Sequence, residues 1–427
     1  MLERGNFHIQ CRFSPSTMPG AIVKGQGVCL FISFLLHYSF DFSAEYFMSI
    51  LATAICFVAC HGGSADHFSV FAKQLENEGH TVQICATGPA INKFYSCAYS
   101  DIYTFSLENI AEEKAADQVA EKCKEFPVVI TDMGHSFDIA LHKTLKQKNP
   151  DCLCLAYYDN PEPWVPGGYS FIASQVSALS DKVLFANSGL ATNPIYKEQD
   201  VVIDLPLDSR VGIGYYPLKK AQQIRENRTL KKNEARKQFY ALHGRVDCGE
   251  NLCVYVGGNN DVYFEKALPA FLDYLHTWSV HHDTSDTLLV FQQHPGAKKL
   301  NLDLAQIQKF QQESSVKLVI SKLSTDEVLT FADGVLYYQT SMSPLFALAG
   351  IPAISVGHEI YPDILVRNHL CHSASNADSL VLALQEITKT KSLQLPALIQ
   401  KKLGIQANYF ENLKQVFSAN SQCVLAD

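Results

Sequence analysis

The chain has 427 residues, too many for one ordinary hydrophobic core, so two domains are expected. Apolar residues make up 47% and charged residues 18%, the balance of a packed protein rather than a disordered one. A formal net charge of −8 with no long basic face argues against nucleic acid as a partner.

The first 47 residues stand apart from the rest. Met1 to Gly27 is turn-rich without periodicity, and the apolar run Val28 to Leu36 is far shorter than a membrane span. Residues 1–47 read as a leader or extension, with an interfacial anchor making weak membrane-surface contact as the alternative.

From Met48 the pattern is regular. Ile50 to Ala59 is a continuous apolar strand, Cys60 to Ser64 turns a corner, and Asp66 to Glu78 has helical spacing of Phe68, Val70, Phe71 and Leu75. Gly79-His80 ends that helix and Thr81 to Ala86 is the second strand. Val128 to Thr131, Leu153 to Tyr157 and Lys182 to Ala186 follow, each after a helical segment. The alternation predicts a doubly wound parallel sheet, an N-terminal Rossmann-like domain over 48–215. Several of the 13 cysteines (Cys56, Cys85, Cys152, Cys154, Cys253) lie inside apolar runs and behave as small hydrophobes. No CxxC or Cys/His spacing points to zinc, so reduced thiols in the cytoplasm are expected and no metal site.

Ligands of such sheets bind beyond the carboxyl ends of the strands, which directs attention to loops 60–66, 87–90, 132–138, 158–170 and 187–193. The first holds His61, Gly62, Gly63, Ser64 and Asp66, and the third Asp132, His135 and Asp138. The fourth packs Asp159, Glu162 and Trp164 among prolines, glycines and tyrosines. Such a loop is a stiff wall suited to a sugar or ring, or else a surface connector.

The alternation lapses between Asn187 and Arg245. Val201 to Leu205 reads as one more strand and Gly212 to Tyr216 as an inter-domain turn. Lys219 to Tyr240, inside a linker of 216–245, reads as a solvated helix with Leu230, Ala235 and Phe239 as its apolar contacts, a membrane-surface patch being the alternative.

A second Rossmann-like domain, 246–392, opens with a strand at Leu252 and the turn Gly257-Gly258-Asn259-Asn260-Asp261 before an amphipathic helix. Leu288 to Gln292 with the loop Gln293-His294-Pro295-Gly296 comes next, then Val316 to Ile320. The stretch 334–359, GVLYYQTSMSPLFALAGIPAISVGHE, is the most informative. It reads as strand Val335 to Tyr338, polar turn Gln339-Thr340-Ser341, Ser343 as helix cap, Pro344 in the first turn, a helix to Ala349 closed by Gly350, and a strand from Ile351 to Gly357. Backbone N–H groups and a helix dipole then meet at one spot that suits a phosphate; an ordinary βαβ crossover is the alternative. The helical tail, 393–427, is expected to return to the N-terminal domain. The chain has no GxGxxG fingerprint and no Walker sequence.

With these motifs in view, residues 48 to 415 resemble the glycosyltransferases of the GT-B superfamily, in which two such domains face each other across a cleft. His61-Gly62-Gly63 after the first strand is similar to the acceptor-side loop of that class. His294-Pro295 resembles the HP dipeptide of CDP-glycerol transferases and UDP-N-acetylglucosamine 2-epimerases. Thr340-Ser341-Met342-Ser343, before a helix ending in Gly350-Ile351-Pro352, is similar to the donor diphosphate loop of both. The resemblance implies a nucleotide-sugar as donor substrate, no separate cofactor or metal, and transfer to an unidentified acceptor hydroxyl. A UDP-sugar 2-epimerase, and a non-catalytic nucleotide- or protein-binding protein, are the alternatives.

Under it His61 is the general base, Asp66 its orienting or alternative carboxylate, and His135 the runner-up base. Gly62, Gly63, Ser64, Asp132, Asp159, Glu162 and Trp164 face substrate from the first domain. Gly257, Gly258, Asn259, His294, Thr340, Ser341, Met342 and Ser343 hold the donor from the second. The pattern departs at Phe346, where many members place a carboxylate for the donor ribose; Glu359 and Asp363 are the substitutes.

Overall fold

Continuous apolar runs become parallel strands because a parallel sheet is covered on both faces and has no polar side. In the computed structural model, which describes residues 53–161, 168–192, 207–294, 297, 301–357, 359, 363–389 and 396–421, two such sheets occur. The first comprises β1 (Ala54–Ala59), β2 (Thr81–Ala86), β3 (Tyr103–Thr104), β4 (Val128–Thr131), β5 (Leu153–Tyr158), β6 (Lys182–Phe185) and β7 (Arg210–Gly212). Their order is β3-β2-β1-β4-β5-β6-β7, all parallel. Helices α1 (Gly62–Asn77), α2 (Pro89–Ser96), α3 (Glu112–Cys123), α4 (Ser136–Lys148), α5 (Gly168–Leu179) and α6 (Ser188–Thr192) connect them. Side chains alternate across β1: Ile55, Phe57 and Ala59 pack toward α1 and α2, whereas Cys56, Val58 and Cys60 pack toward α3 and α4.

The second sheet follows α7 (Leu218–Leu242). It contains β8 (Asn251–Val256), β9 (Thr287–Gln292), β10 (Leu318–Ile320), β11 (Gly334–Tyr337), β12 (Ala353–Val356) and β13 (His372–Ala374), in the parallel order β10-β9-β8-β11-β12-β13. A π-helical turn, Tyr263–Ala267, runs into α8 (Leu268–His281); α9 (Leu302–Glu313), α10 (Thr325–Phe331), α11 (Ser343–Ala349), α12 (Ile364–Arg367) and α13 (Ala377–Lys389) complete the layers. The strand order reverses between β1 and β4 in one sheet and between β8 and β11 in the other. Crevices at those reversals are where doubly wound sheets hold ligands.

The structure corrects several expectations. α1 begins at Gly62 rather than Asp66, so the corner after β1 is only two residues. β3 and β13 were not anticipated, being two and three residues long, below the length at which a period is visible. β7 occupies Arg210–Gly212, just ahead of the expected inter-domain turn, while the expected strand Val201 to Leu205 lies outside the described residues, as does the leader 1–47. α7 is not a solvated linker. Phe239 is fully buried, Ala221, Ile224 and Tyr240 nearly so, and all four belong to the core of the second domain. Arg228 donates to Leu329 O and Ala332 O at 2.8 and 2.7 Å, and Arg236 forms a bidentate pair with Asp247. Leu230, expected as a contact, is 78% exposed.

The chain then returns. Ile399 of α14 (Pro396–Lys402) and Leu403 still pack in the second core, but Leu413, Val416 and Phe417 of α15 (Tyr409–Ser421) pack in the first. The crossing is pinned at Gly404, whose φ of +64° suits glycine and whose carbonyl accepts from Ser188 N and Oγ at 3.1 and 2.8 Å. Gln406 N donates to Gly214 O at 2.9 Å, so the returning segment is bonded to the outgoing one. Among the described residues, no helix is long and apolar enough to cross a membrane.

Leu413 is fully buried in the first domain although it belongs to the C-terminal helix. Leu413→Ala should lower stability by about 2–5 kcal/mol in urea unfolding, the usual loss for an emptied core leucine. Leu230→Ala should change it by less than about 0.5 kcal/mol.

Candidate functional site

His61 closes β1 and stands as the cap residue of α1, in extended conformation (φ −108°, ψ 145°). Its own side chain does not cap the helix. It turns to Asp132 at the end of β4, with Nδ1 3.1 Å from Oδ2. The same oxygen accepts the backbone N–H groups of Cys60 and His61 at 2.9 Å each. β1 and β4 are paired neighbours at the strand-order reversal, so the pairing register delivers the two residues to each other. Asp132 is buried, whereas 42% of the His61 side chain is exposed.

Asp132 is thus the orienting carboxylate, the role expected for Asp66. Asp66 instead pairs with Lys93 at 2.7 Å. Burial would push the Asp132 carboxyl up, but the His61 hydrogen bond and charge, with the two backbone donors, hold it below the usual range. Burial also pulls the His61 imidazole down. The hydrogen bond and charge of Asp132, with a further contribution from Asp159, outweigh this and leave its pKa raised. An ionised carboxylate can only accept, so in the neutral ring Nδ1 carries the proton and Nε2 the lone pair.

His135 is differently placed. Its Nδ1 accepts from Phe137 N at 3.0 Å and caps α4, while Asp138 Oδ2 accepts from His135 N at 2.9 Å to complete a capping box. Burial and the neighbouring charge of His61, whose ring centroid is 6.2 Å away, lower its pKa. A ring whose nitrogen is engaged in a cap is the poorer base.

A cavity of about 180 Å³ is lined by residues of both domains; His61, Asp132 and His135 are not among them. Gly63, Asp66, His67 and Asp159 line one side; Ser341, Met342, Pro344 and Leu345 line the other. Gly63 allows Asp159 close, since a Cβ there would sit 2.6 Å from Asp159 Oδ2. Ser64 is buried behind it, and nothing crowds Gly62. His67, not anticipated from sequence, is held neutral by burial, which lowers its pKa to about 4, and its Nδ1 lies 2.7 Å from Tyr157 OH. Asn187, Tyr215, Tyr216 and Lys220 also line the cavity and were missed. They lie where the strand–helix alternation lapses, so no pattern marked them. Glu162 and Trp164 lie outside the described residues.

On the second domain, Gln339 adopts φ +32° and bends the chain after β11. Thr340 Oγ1 accepts from Met342 N at 3.2 Å and Thr340 O from Ser343 N at 3.1 Å. Met342, not Ser343, is the cap residue of α11; the Ser343 hydroxyl is buried without a hydrogen-bond partner. Ser341 remains exposed. Gly257 and Gly258 follow β8 across the reversal, and a Cβ on either would lie 2.8 Å from the Tyr263 side chain. Their close approach is therefore to the π-helical turn. Asn259 is exposed, and Asn260 rather than Asn259 bonds that turn, accepting from Tyr263 N at 2.8 Å. His294 follows β9, its pKa lowered by burial.

Phe346 is fully buried against Tyr337, with centroids 5.6 Å apart, and is part of the core. Of its two substitutes, Glu359 is exposed. Asp363 is buried and caps α12 through Leu365 N and Val366 N, both at 2.9 Å. One of its oxygens is engaged in that cap while the other has no partner.

Among the described residues, two groups have metal-ligand spacing: Cys56, Cys85 and Cys123, with sulfurs 3.7 and 3.4 Å from that of Cys56, and Cys60, Asp132 and Asp138. Each draws on separate elements, so sequence spacing did not reveal it.

The His61 imidazole should titrate above its ordinary value of about 6.5 in an NMR pH series. A raised histidine pKa contributes stability that is complete below the unfolded value and fades as pH rises through the folded one. Asp132→Asn should lower the His61 pKa by about one unit or more, the scale of losing a nearby opposite charge.

No protein-family model matches the sequence, and no curated protein matches it. Solved structures do. A UDP-GlcNAc 2-epimerase from Methanocaldococcus jannaschii, in complex with UDP-GlcNAc and UDP, aligns with a TM-score of 0.62 at 11% identity, over 86% of this chain and 100% of its own. The UDP-GlcNAc 2-epimerase of Neisseria meningitidis, bound to UDP-GlcNAc, gives 0.59 at 11%, over 88% and 100%. A glycosyltransferase from Rickettsia africae gives 0.59 at 12%, over 88% and 99%. The chain accordingly has the GT-B-type fold, two parallel-sheet α/β domains, that these epimerases and this glycosyltransferase share.

Proposed function

We propose that the protein is a glycosyltransferase that moves a sugar from a nucleotide-diphosphate-sugar to an acceptor hydroxyl. The observation that carries this reading is the His61–Asp132 pair at the first strand-order reversal, with His61 two residues ahead of Gly63, which lines a cavity that Ser341, Met342, Pro344 and Leu345 line as well. An oriented imidazole with a free Nε2 is suited to remove a proton from a hydroxyl. His61 Nε2 takes the acceptor proton, the acceptor oxygen forms the new bond at the anomeric carbon, and the carbon–phosphate oxygen bond breaks with its electron pair leaving on the nucleoside diphosphate. In this reading the backbone groups of Thr340 to Ser343 and the start of α11 meet the departing charge. Lys220 adds a cation at the same cavity.

The second reading is a UDP-sugar 2-epimerase, favoured by the two UDP-GlcNAc-bound epimerases among the fold neighbours. It needs titratable groups at the donor sugar itself, and Asp159 and Asp66 line the cavity on that side.

Incubation with a panel of nucleotide-sugars separates the two. Free nucleotide with a glycosylated product supports transfer, an isomeric sugar nucleotide without acceptor supports epimerisation, and no turnover of any donor overturns both. His61→Ala should reduce turnover by about 10²–10⁴-fold with little change in donor affinity. The acid limb of kcat/KM should lie above pH ~6.5, because Asp132 raises the imidazole that must be unprotonated. His294→Ala should weaken donor binding by about 1–3 kcal/mol in calorimetry.

A further inference from the structure

Behind Asp132 lies a second carboxyl that the reaction above does not use. Asp138 is fully buried in the first turn of α4, and Asp132 and Cys60 are buried beside it. One oxygen of each carboxyl and the thiol sulfur lie within 4.8 Å of one another. Cys60 and His61 from the end of β1, Glu112 from α3 and His135 from α4 are the other titratable groups facing the pair.

Two carboxylates this close and this deeply buried are not both ionised at neutral pH. The hydrogen bonds decide which one keeps the proton. Asp132 Oδ2 is met by the N–H groups of Cys60 and His61 and by the His61 imidazole. Its other oxygen, Oδ1, is buried and receives no hydrogen bond. Asp138 Oδ2 has the His135 N–H and Asp138 Oδ1 the Cys60 thiol at 4.0 Å; the Gly134 N–H also faces this carboxyl, but among the described residues no side-chain cation does. The charge belongs on Asp132, and a proton on Asp138 would serve the bare Oδ1.

We propose that Asp138 is a neutral carboxylic acid that turns its proton toward Asp132 Oδ1, so that His61 faces one buried negative charge rather than two. Burial and the charge of Asp132 push the Asp138 carboxyl well above its usual range, in agreement. Asp138 is then a positioning residue and not a catalytic one. A second ionised carboxylate would raise the imidazole further and keep it protonated at the pH where a base has to be free. This inference rests on the proposed role of His61, but its test does not use turnover.

Isotope-edited infrared spectroscopy of the wild-type protein labelled at aspartate should show the carbonyl stretch of a protonated carboxylic acid at pH 7, and Asp138→Asn should remove it. Absence of the band, its persistence in the variant, or its loss near the ordinary aspartate pKa of about 3.9 would overturn the proposal. NMR titration gives a second measure. Asparagine can donate to Asp132 and accept from His135 N, so Asp138→Asn should leave the His61 pKa within about half a unit. A fall of about one unit or more would mean that a charge had been removed, and would overturn it. Should the variant fail to fold, the wild-type infrared titration decides alone. A failed nucleotide-sugar panel would count against the transferase and leave the carboxyl result standing.

Discussion

One buried carboxylate holds the first reversal together. Asp132 N donates to Val58 O at 3.1 Å, continuing the β1–β4 ladder, and its side chain then folds back to accept the N–H groups that open α1. Of the two residues that donate, Cys60 is buried, and a buried N–H left unpaired costs about 1–3 kcal/mol. The His61 imidazole is the one partner of Asp132 with a second face left for solvent. The helix start and the imidazole therefore draw on the same oxygen, Oδ2, and a substitution at Asp132 alters both.

The second domain answers this arrangement with backbone. Around β11 and α11 the turn carries hydroxyls and main-chain groups but no acid or base, and the aromatics Tyr337, Tyr338 and Phe346 are buried. Titratable side chains thus cluster on one wall of the cavity, while the facing wall is built of a turn and a helix start. That division suits proton removal on one side and anion stabilisation on the other.

Much of this was legible in the sequence. β2 and β4 fall on the expected residues, and β1, β5, β6, β8, β9, β11 and β12 lie close to theirs, because a buried parallel strand is an uninterrupted apolar run. His61 and Asp132 could be placed at strand ends, where loops carry chemistry. Their pairing could not be read, since it depends on β1 and β4 being adjacent across 71 residues of chain. Asp66 looked the better partner because it is near in sequence; one helical turn instead carries it to Lys93. α7 misled for a different reason. Its lysines and arginines suggested a solvated face, yet Arg228 and Arg236 use their length to reach carbonyls and carboxylates of the second domain while Ile224 and Phe239 enter its core.

The two passages between the domains have a mechanical consequence. The outgoing chain through Ile213–Pro217 and the returning chain through Leu403–Gln406 are hydrogen-bonded to each other at Gly214 and Gln406. Two bodies joined by one thread can twist, slide and bend; joined by two bonded threads, they keep chiefly the rotation about the line through both. That line passes next to the cavity wall formed by Tyr215, Tyr216, Leu403 and Ile405. Opening would swing Ser341 and Met342 away from Gly63 and Asp159 while leaving the hinge-side residues almost where they are. In such a rotation the mouth of the cavity would move most and its back least.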